Sequence, residues 1–404
     1  MHRVRLYPSA RQAARLRFAL DVTRQLYNAA LEQRRDVWTT RRMSISGKQQ
    51  YAELTALRGE DARFAGAYRE CEDAVLHRLD LTFAAFFRRC RSGETAGYPR
   101  FRAAGRWRQL EFPHGDRALR LNAAQNRVRI PMIGTVPLRK GREVPPYGRA
   151  FVVERNGRWY AVFECAREVT PLEPTGKAVG IDRGIRALVA TSDGELIENP
   201  RHADRRRELV ERHQRALELA TIRDAGGRVR NVHDPWRQAA VLRLARAKER
   251  EANARRDYLH KVSRSLVDRY DLIAVEDLRL RSMTRSAKGT VEEPGRNVRA
   301  KAGLNRRLLD AGLSMLVMLI REKAAHAARR VESVDARYTS QTCAACGQVA
   351  AESRNGPAFC CVKCGHRADA DVNAARCILM RAQSALRSLP EAGAEPARHT
   401  RCAA

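Results

Sequence analysis

The chain has 404 residues, 44% of them hydrophobic, and carries a formal net charge of +31. The hydrophobic share excludes a disordered chain. A charge of that size opposes folding by self-repulsion, so it points to a polyanionic partner rather than to stability. The basic residues run through every segment instead of forming one polybasic tail, which favours nucleic acid over a membrane surface.

The length accommodates two to four domains with their own cores. No apolar run approaches the roughly 20 residues that span a bilayer, and the opening MHRVRLYPSA lacks the apolar core of a signal peptide. The expectation is a cytoplasmic protein without a membrane partner. Ten cysteines suit a reducing compartment if some of them bind metal.

Taken in order, VRLYP (residues 4–8) predicts a first strand. Ser9 followed three residues later by Gln12 predicts a capping box and a helix with Leu16, Leu20, Leu26 and Ala30 on its apolar face. Leu76, Leu79, Phe83, Phe86 and Cys90 recur at helical spacing in a second helix, so residues 10–92 read as a small helical bundle. The loop at 93–109 interleaves Tyr98, Phe101 and Trp107 with Arg100, Arg102, Arg106 and Arg108. That pattern offers charge for phosphate and flat faces for bases, or equally aromatics tucked under the bundle.

From 119 to 168 the pattern turns to β, with short strands at 128–130 and 136–138. A hairpin at 151–164 turns on Asn156-Gly157. The first strand is expected to join this sheet, making the helical bundle an insertion in a β-barrel. After a linker at 171–176, strands at 178–181 and 187–191 precede two long charged helices, about 203–222 and 238–268. Tyr258, Val262 and Leu266 form the inner face of the second. DLIAV (271–275) is a buried strand ending in Glu276. Residues 284–300 predict a mobile loop. A helix at 304–328 follows, with Leu308, Met315, Leu316 and Leu319 buried, and then a return to β at 331–338. Residues 383–404 predict a frayed tail. Strand–strand, helices, strand, helix, strand, helix gives an α/β multidomain chain whose second half is a mixed sheet flanked by helices, as in a ribonuclease-H-like core.

Two constellations carry chemistry. Cys343-x2-Cys346 and Cys361-x2-Cys364, with 14 residues between the pairs, describe two knuckles closing a tetrahedral zinc site. Four thiolates leave no open position, so the zinc is structural and supplies folding energy to a ribbon without a core. Cys360 stands at the wrong spacing to Cys364 to replace Cys361. The second constellation is acidic: Asp182 and Glu276 end strands, and Asp371 opens an Ala-rich helix whose dipole favours its ionised form. Three carboxylates around one point repel unless cations lie between them, which suits a pair of Mg²⁺ ions acting on phosphate. Asp277 points away from Glu276 on an extended chain, whereas Asp369 could share the face of Asp371.

GIDRG (180–184), VEDL (275–278), YTSQTCAACG (338–347) and ADADVNAA (368–375) resemble the TnpB family of bacterial insertion-sequence transposons, as do VRLYP and GYPRF (97–101) in the first half. The resemblance implies an RNA-guided DNA endonuclease related to compact type V CRISPR effectors. It implies a wedge β-barrel (1–9 and 96–172) with a helical recognition insertion (10–95). It also implies a RuvC nuclease domain (173–336 and 367–382) carrying a zinc ribbon (337–366). Asp182, Glu276 and Asp371 become the catalytic triad, with two-metal hydrolysis of phosphodiesters, and Cys343, Cys346, Cys361 and Cys364 the zinc ligands. The implied partners are a guide RNA from the transposon end, one protein per RNA, and double-stranded target DNA beside a short adjacent motif. A strand-transfer transposase using the same acids and a non-catalytic nucleic-acid-binding regulator are the rival readings.

Overall fold

The opening strand β1 (His2–Leu6) enters helix α1 (Ala10–Arg41) through the expected capping box: Ser9 Oγ accepts the Gln12 N–H and Gln12 Oε1 accepts the Ser9 N–H. The computed structural model describes residues 1–139, 141, 143–166, 169–290 and 292–387. A second capping box, Ser46 with Gln49, starts α2 (Gly47–Glu60), which is followed by α3 (Ala62–Ala65) and α4 (Arg69–Arg91). Then come β2 (Gln109–Phe112), α5 (Gly115–Ala118), β3 (Arg120–Leu121), β4 (Arg127–Ile130), β5 (Gly134–Pro137), β6 (Tyr147–Arg155) and β7 (Arg158–Cys165). Asn156 and Gly157 turn the β6–β7 hairpin at φ of 52° and 69°, the left-handed region these residues tolerate best.

β1 crosses to β7 in an antiparallel sheet of order β1-β7-β6-β2. A second antiparallel sheet, β3-β4-β5, meets it at an isolated bridge between Leu6 and Leu138. Leu16, Leu20, Leu26 and Ala30 of α1 and Leu76 and Leu79 of α4 are buried with Leu110 and Phe163 in one core. The predicted stripe of α4 fades toward its end: Phe83 and Phe86 are half-buried and Cys90 is exposed. These elements form one compact unit, Met1–Arg167; the second is Glu168–Ala404.

The second unit begins with β8 (Ala178–Arg183), β9 (Ala187–Thr191) and β10 (Leu196–Glu198), then α6 (His202–Arg205), α7 (Arg207–Leu219) and α8 (Pro235–Arg269). It continues with β11 (Leu272–Glu276), α9 (Leu280–Met283), α10 (Val298–Ala311), α11 (Leu313–His326) and β12 (Arg330–Val334). The Cys-rich segment supplies β13 (Arg354–Asn355), β14 (Ala358–Cys360) and β15 (Arg367–Asp369) before the last helix, α12 (Ala370–Arg387). Its main sheet is mixed and of order β10-β9-β8-β11-β12. β8 to β10 run antiparallel in succession, while β8, β11 and β12 are parallel.

Several expectations need correcting. The helix expected at 304–328 is two helices broken at Gly312, where φ is 68° and a Cβ would come within 2.9 Å of Leu259 Cδ1 on α8. Glycine there lets the chain turn at close range to α8. The short third strand β10 was hidden by its exposed, polar surroundings. The segment 284–300 yields its last three residues to α10. Residues 383–387 are helical, the end of α12, rather than frayed; the rest of the expected tail, 388–404, lies outside the described residues. Among the described residues no helix is long and apolar enough to cross a membrane.

Candidate functional site

β8 alternates between two environments. Val179 and Ile181 are buried in the core with Ile273 and Val275 of β11 and with α8 and α11. Gly180 and Asp182 therefore face the other side, where α12 lies. α12 approaches so closely that a Cβ on Gly180 would sit 2.1 Å from the Ala375 carbonyl oxygen and 2.7 Å from the Leu379 nitrogen. On β11 the same face carries Ala274, packed with Ile378 and Ala382 of α12, and two residues on, Glu276. The parallel register pairing Ile181 with Val275 carries Asp182 to the side of Glu276, and their carboxyl groups lie within hydrogen-bonding reach. Asp371 enters from the first turn of α12.

The three acids line one cleft of about 620 Å³ with Arg186, Thr339 and Arg354. Burial raises the Asp182 carboxyl above its usual range, the hydrogen bond with Glu276 opposes this, and the Asp371 charge adds to it. Burial likewise raises Glu276, with the Asp182 charge second. Both effects are those of anions crowded in a partly dry site, so the donor set suits hard divalent cations, which would remove the repulsion. Glu276 Oε2 also accepts from Thr339 Oγ1 at 3.4 Å. Asp277 is exposed, as its place on the strand requires.

Four basic or acidic neighbours escaped the sequence reading or were read only as rivals. Arg183 is buried and donates from Nη2 to the Glu276 carbonyl (2.5 Å) and from Nη1 to the Leu313 carbonyl (3.3 Å), tying the ends of β8 and β11 to the start of α11. Arg186 Nη2 contacts both Asp369 oxygens (2.7 and 2.6 Å) and Asp371 Oδ2 (2.8 Å). Arg354, between the two cysteine pairs in sequence, donates to Asp371 Oδ1 at 3.0 Å. Asp369, the rival to Asp371, caps α12 instead: its Oδ1 accepts the N–H groups of Asp371 (3.0 Å) and Val372 (3.3 Å). Nothing in the spacing around Arg354 signals its contact; adjacency to GIDRG was the only signal for Arg186.

The four expected cysteines converge. The Sγ atoms of Cys343, Cys346, Cys361 and Cys364 all lie within 4.8 Å of one another, with Cys343–Cys364 at 3.7 Å and Cys346–Cys361 at 3.6 Å. Sulfurs at about 2.3 Å from a tetrahedral zinc stand roughly 3.8 Å apart, so the cluster fits zinc. Each knuckle closes on a left-handed glycine: Gly347 (φ 75°) donates to the Cys343 carbonyl and Gly365 (φ 70°) to the Cys361 carbonyl. Cys360 is exposed and outside the cluster. Buried Asn373 of α12 pins the first knuckle by donating to the Thr342 carbonyl (2.7 Å) and accepting the Ala344 N–H (3.0 Å).

In the first unit the aromatic loop divides. Trp107 is buried, donating from Nε1 to Thr23 Oγ1 at 3.0 Å, whereas Tyr98 and Phe101 remain exposed.

The chain thus combines an acidic trio in one cleft, Glu276 buried and Asp182 and Asp371 half-buried, with a four-cysteine cluster and a strongly basic composition. Residues 154–287 match the OrfB_IS605 model, "Probable transposase"; residues 314–378 match "Cas12f1-like, TNB domain"; and residues 1–43 match a "Helix-turn-helix domain". Here residues 1–43 hold one strand and one unbroken helix, α1. "Putative RNA-guided DNA endonuclease InsQ" of Escherichia coli (strain K12) is 34% identical over 307 residues, 75% of this chain and 72% of the relative. "Putative RNA-guided DNA endonuclease" of Streptomyces pristinaespiralis is 30% identical over 384 residues, 93% of this chain and 87% of the relative. Among solved structures, "Cryo-EM structure of the Cas12f1-sgRNA-target DNA complex" aligns over 94% of this chain and 98% of that one, at 13% identity and a TM-score of 0.33. The chain belongs to the TnpB family.

Proposed function

We propose that this protein is an RNA-guided DNA endonuclease of a bacterial transposon, cleaving phosphodiesters at Asp182, Glu276 and Asp371. The observation that carries the reading is the meeting of these three acids, from segments nearly 200 residues apart in sequence, in one cleft. Two Mg²⁺ ions held by the three carboxylates would supply an activated water and stabilise the departing 3′ oxygen. The chain's own residues do the rest. β8 and β11 hold Asp182 and Glu276 rigidly because each acid lies at the end of a strand paired on both sides within the sheet. Arg183 fixes the Glu276 backbone, and α12 presents Asp371. The four cysteines hold a structural zinc, and Asn373 couples that knuckle to α12.

The fold supports the same reading. A β10-β9-β8-β11-β12 sheet with acids at the ends of β8 and β11 is the arrangement expected of a RuvC-type, ribonuclease-H-like nuclease domain. The two small sheets of the first unit correspond to a wedge and its helices to a recognition insertion. The partners are a guide RNA from the transposon end and double-stranded target DNA, held through the +31 charge and read by base pairing beside a short adjacent motif. Strand transfer and non-catalytic regulation are less favoured: the family's relatives carry endonuclease names, and the three acids are intact.

The test is expression with the native downstream DNA, sequencing of the co-purifying RNA, and cleavage of a matching target. One discrete transcript with a variable 3′ end, and cutting abolished by Asp182→Ala, is the expected result. Random RNA removable by salt, with no cutting, would refute it.

A further inference from the structure

The arginines around the acidic cleft are distributed unequally. Asp371 has a charge-assisted donor on each oxygen: Arg354 on Oδ1 at 3.0 Å, and Arg186 on Oδ2 through Nε at 3.1 Å and Nη2 at 2.8 Å. Among the described residues no arginine or lysine donates to the carboxyl of Asp182 or Glu276; Arg183 turns instead to the Glu276 backbone carbonyl. Two acids are left to an external cation, and the third is already neutralised from within the chain.

We propose that Arg186 is the internal counter-cation of this site, holding Asp371 while the cleft is free of metal and competing with the divalent cation for that carboxylate. This rests on the metal-dependent reading above. Three features make Arg186 the competitor. It stands on the turn between β8 and β9 with its side chain 45% exposed, so its guanidinium can swing without opening the core. The same Nη2 already contacts both Asp369 oxygens at 2.7 and 2.6 Å, which gives the guanidinium a second seat when Asp371 is taken. That seat is fixed, because Asp369 is held by the N–H groups of Asp371 and Val372 at the start of α12. Arg354 makes one contact from β13 of the cysteine segment and has no such alternative among the described hydrogen bonds. Arg186 is thus a positioning residue whose charge sets how much cation the site requires.

The test is Mn²⁺ binding to the full chain by calorimetry, with electron paramagnetic resonance of the bound ion. Arg186→Gln is expected to bind Mn²⁺ about tenfold more tightly, since a competing positive charge is gone. Asp369→Asn keeps an amide oxygen for the helix cap but removes the negative charge of the second seat, so the guanidinium rests more firmly on Asp371 and Mn²⁺ is expected to bind several-fold more weakly; unchanged or tighter binding overturns the proposal. A merely structural Arg186 would misplace Asp371 when replaced and weaken binding, so unchanged or weaker binding in Arg186→Gln overturns the proposal. If that variant does not fold, Arg186→Lys decides: it keeps the charge but cannot fork across two carboxylates, so binding two- to fivefold tighter is expected, and unchanged or weaker binding overturns the idea. Asp182→Asn, measured alongside, separates the two claims. Mn²⁺ binding that survives it refutes the three-acid site and the counter-cation with it, whereas binding lost there but not tightened in the Arg186 variants refutes the counter-cation alone.

Discussion

Gly180→Ala is the smallest change that tests how the acidic cleft is assembled. The added methyl would lie 2.1 Å from the Ala375 carbonyl oxygen and 2.7 Å from the Leu379 nitrogen, both backbone atoms of α12 that no rotamer change can move. Ordinary contact needs about 3.5 Å, so α12 would have to retreat by about 1.4 Å. Overpacking of that kind costs roughly 1–3 kcal/mol. For a unit of this size that corresponds to a fall in Tm of about 2–12 °C. The functional cost is larger than the stability cost, because Asp371 lies one helical turn from Ala375 and moves with it. A 1 Å misplacement of a reacting group is worth on the order of 100-fold in rate. Thermal melting and cleavage of a guided target, measured on the same preparation, check both numbers. A Gly180→Ala protein that melts within 1 °C of the native chain and cuts at full rate would refute the close α12–β8 approach as the organiser of the site.

Cys346→Ser should reduce zinc from one equivalent per chain toward none by elemental analysis. Cleavage should fall with it, since Asn373 and Arg354 tie the cysteine segment to the helix that presents Asp371. Glu72 is fully buried on α4 beside Arg58, and burial pushes its carboxyl up to about 7 against the opposing Arg58 charge. The folded state therefore holds a proton that the unfolded chain releases above about 4.5, so stability is greatest below that pH and falls as pH rises through about 7. Discounting for the partly exposed Arg58, roughly 1–3 kcal/mol of stability should be lost between pH 4.5 and 8, and denaturant melts of Glu72→Gln should lack that slope. Trp107→Phe leaves Thr23 without its buried donor and should cost about 1 kcal/mol by the same melts, while leaving zinc content unchanged.

What was legible in the sequence was what periodicity and spacing encode. Asp182, Glu276 and Asp371 could be found because each ends or begins a strongly patterned element, and the four cysteines because their spacing has few other uses. The capping box at Ser9 and the Asn156-Gly157 hairpin were legible for the same reason: local chemistry dictates them. The break at Gly312 was not, because Leu308, Leu316 and Leu319 keep helical spacing across it; only the closeness of α8 reveals why the helix must turn there. Trp107 and Tyr98 belong to the same basic–aromatic pattern, yet one is buried and hydrogen-bonded and the other exposed, a distinction set by long-range packing. Arg183, Arg186 and Arg354 were lost among the chain's many basic residues, since an arginine whose partner lies 17, 93 or 185 residues away looks in sequence like one that meets solvent.

The last helix explains why so many of these features sit together. One face of α12 packs against β8 and β11, which forces glycine at position 180 and places Asp371 over Asp182 and Glu276. Its first turn is capped by Asp369, whose other role is to hold Arg186. Two residues beyond Asp371, Asn373 is wholly buried and spends its amide on the first cysteine knuckle. The run ADADVNAA thus combines a cap, a carboxylate lining the acidic cleft, an anchor for the cysteine cluster and small residues that permit close packing on the sheet. A helix that must satisfy all four at once has little freedom to vary. Loss of metal from the cysteines, or of glycine from β8, should therefore reach the same carboxylate by two different routes.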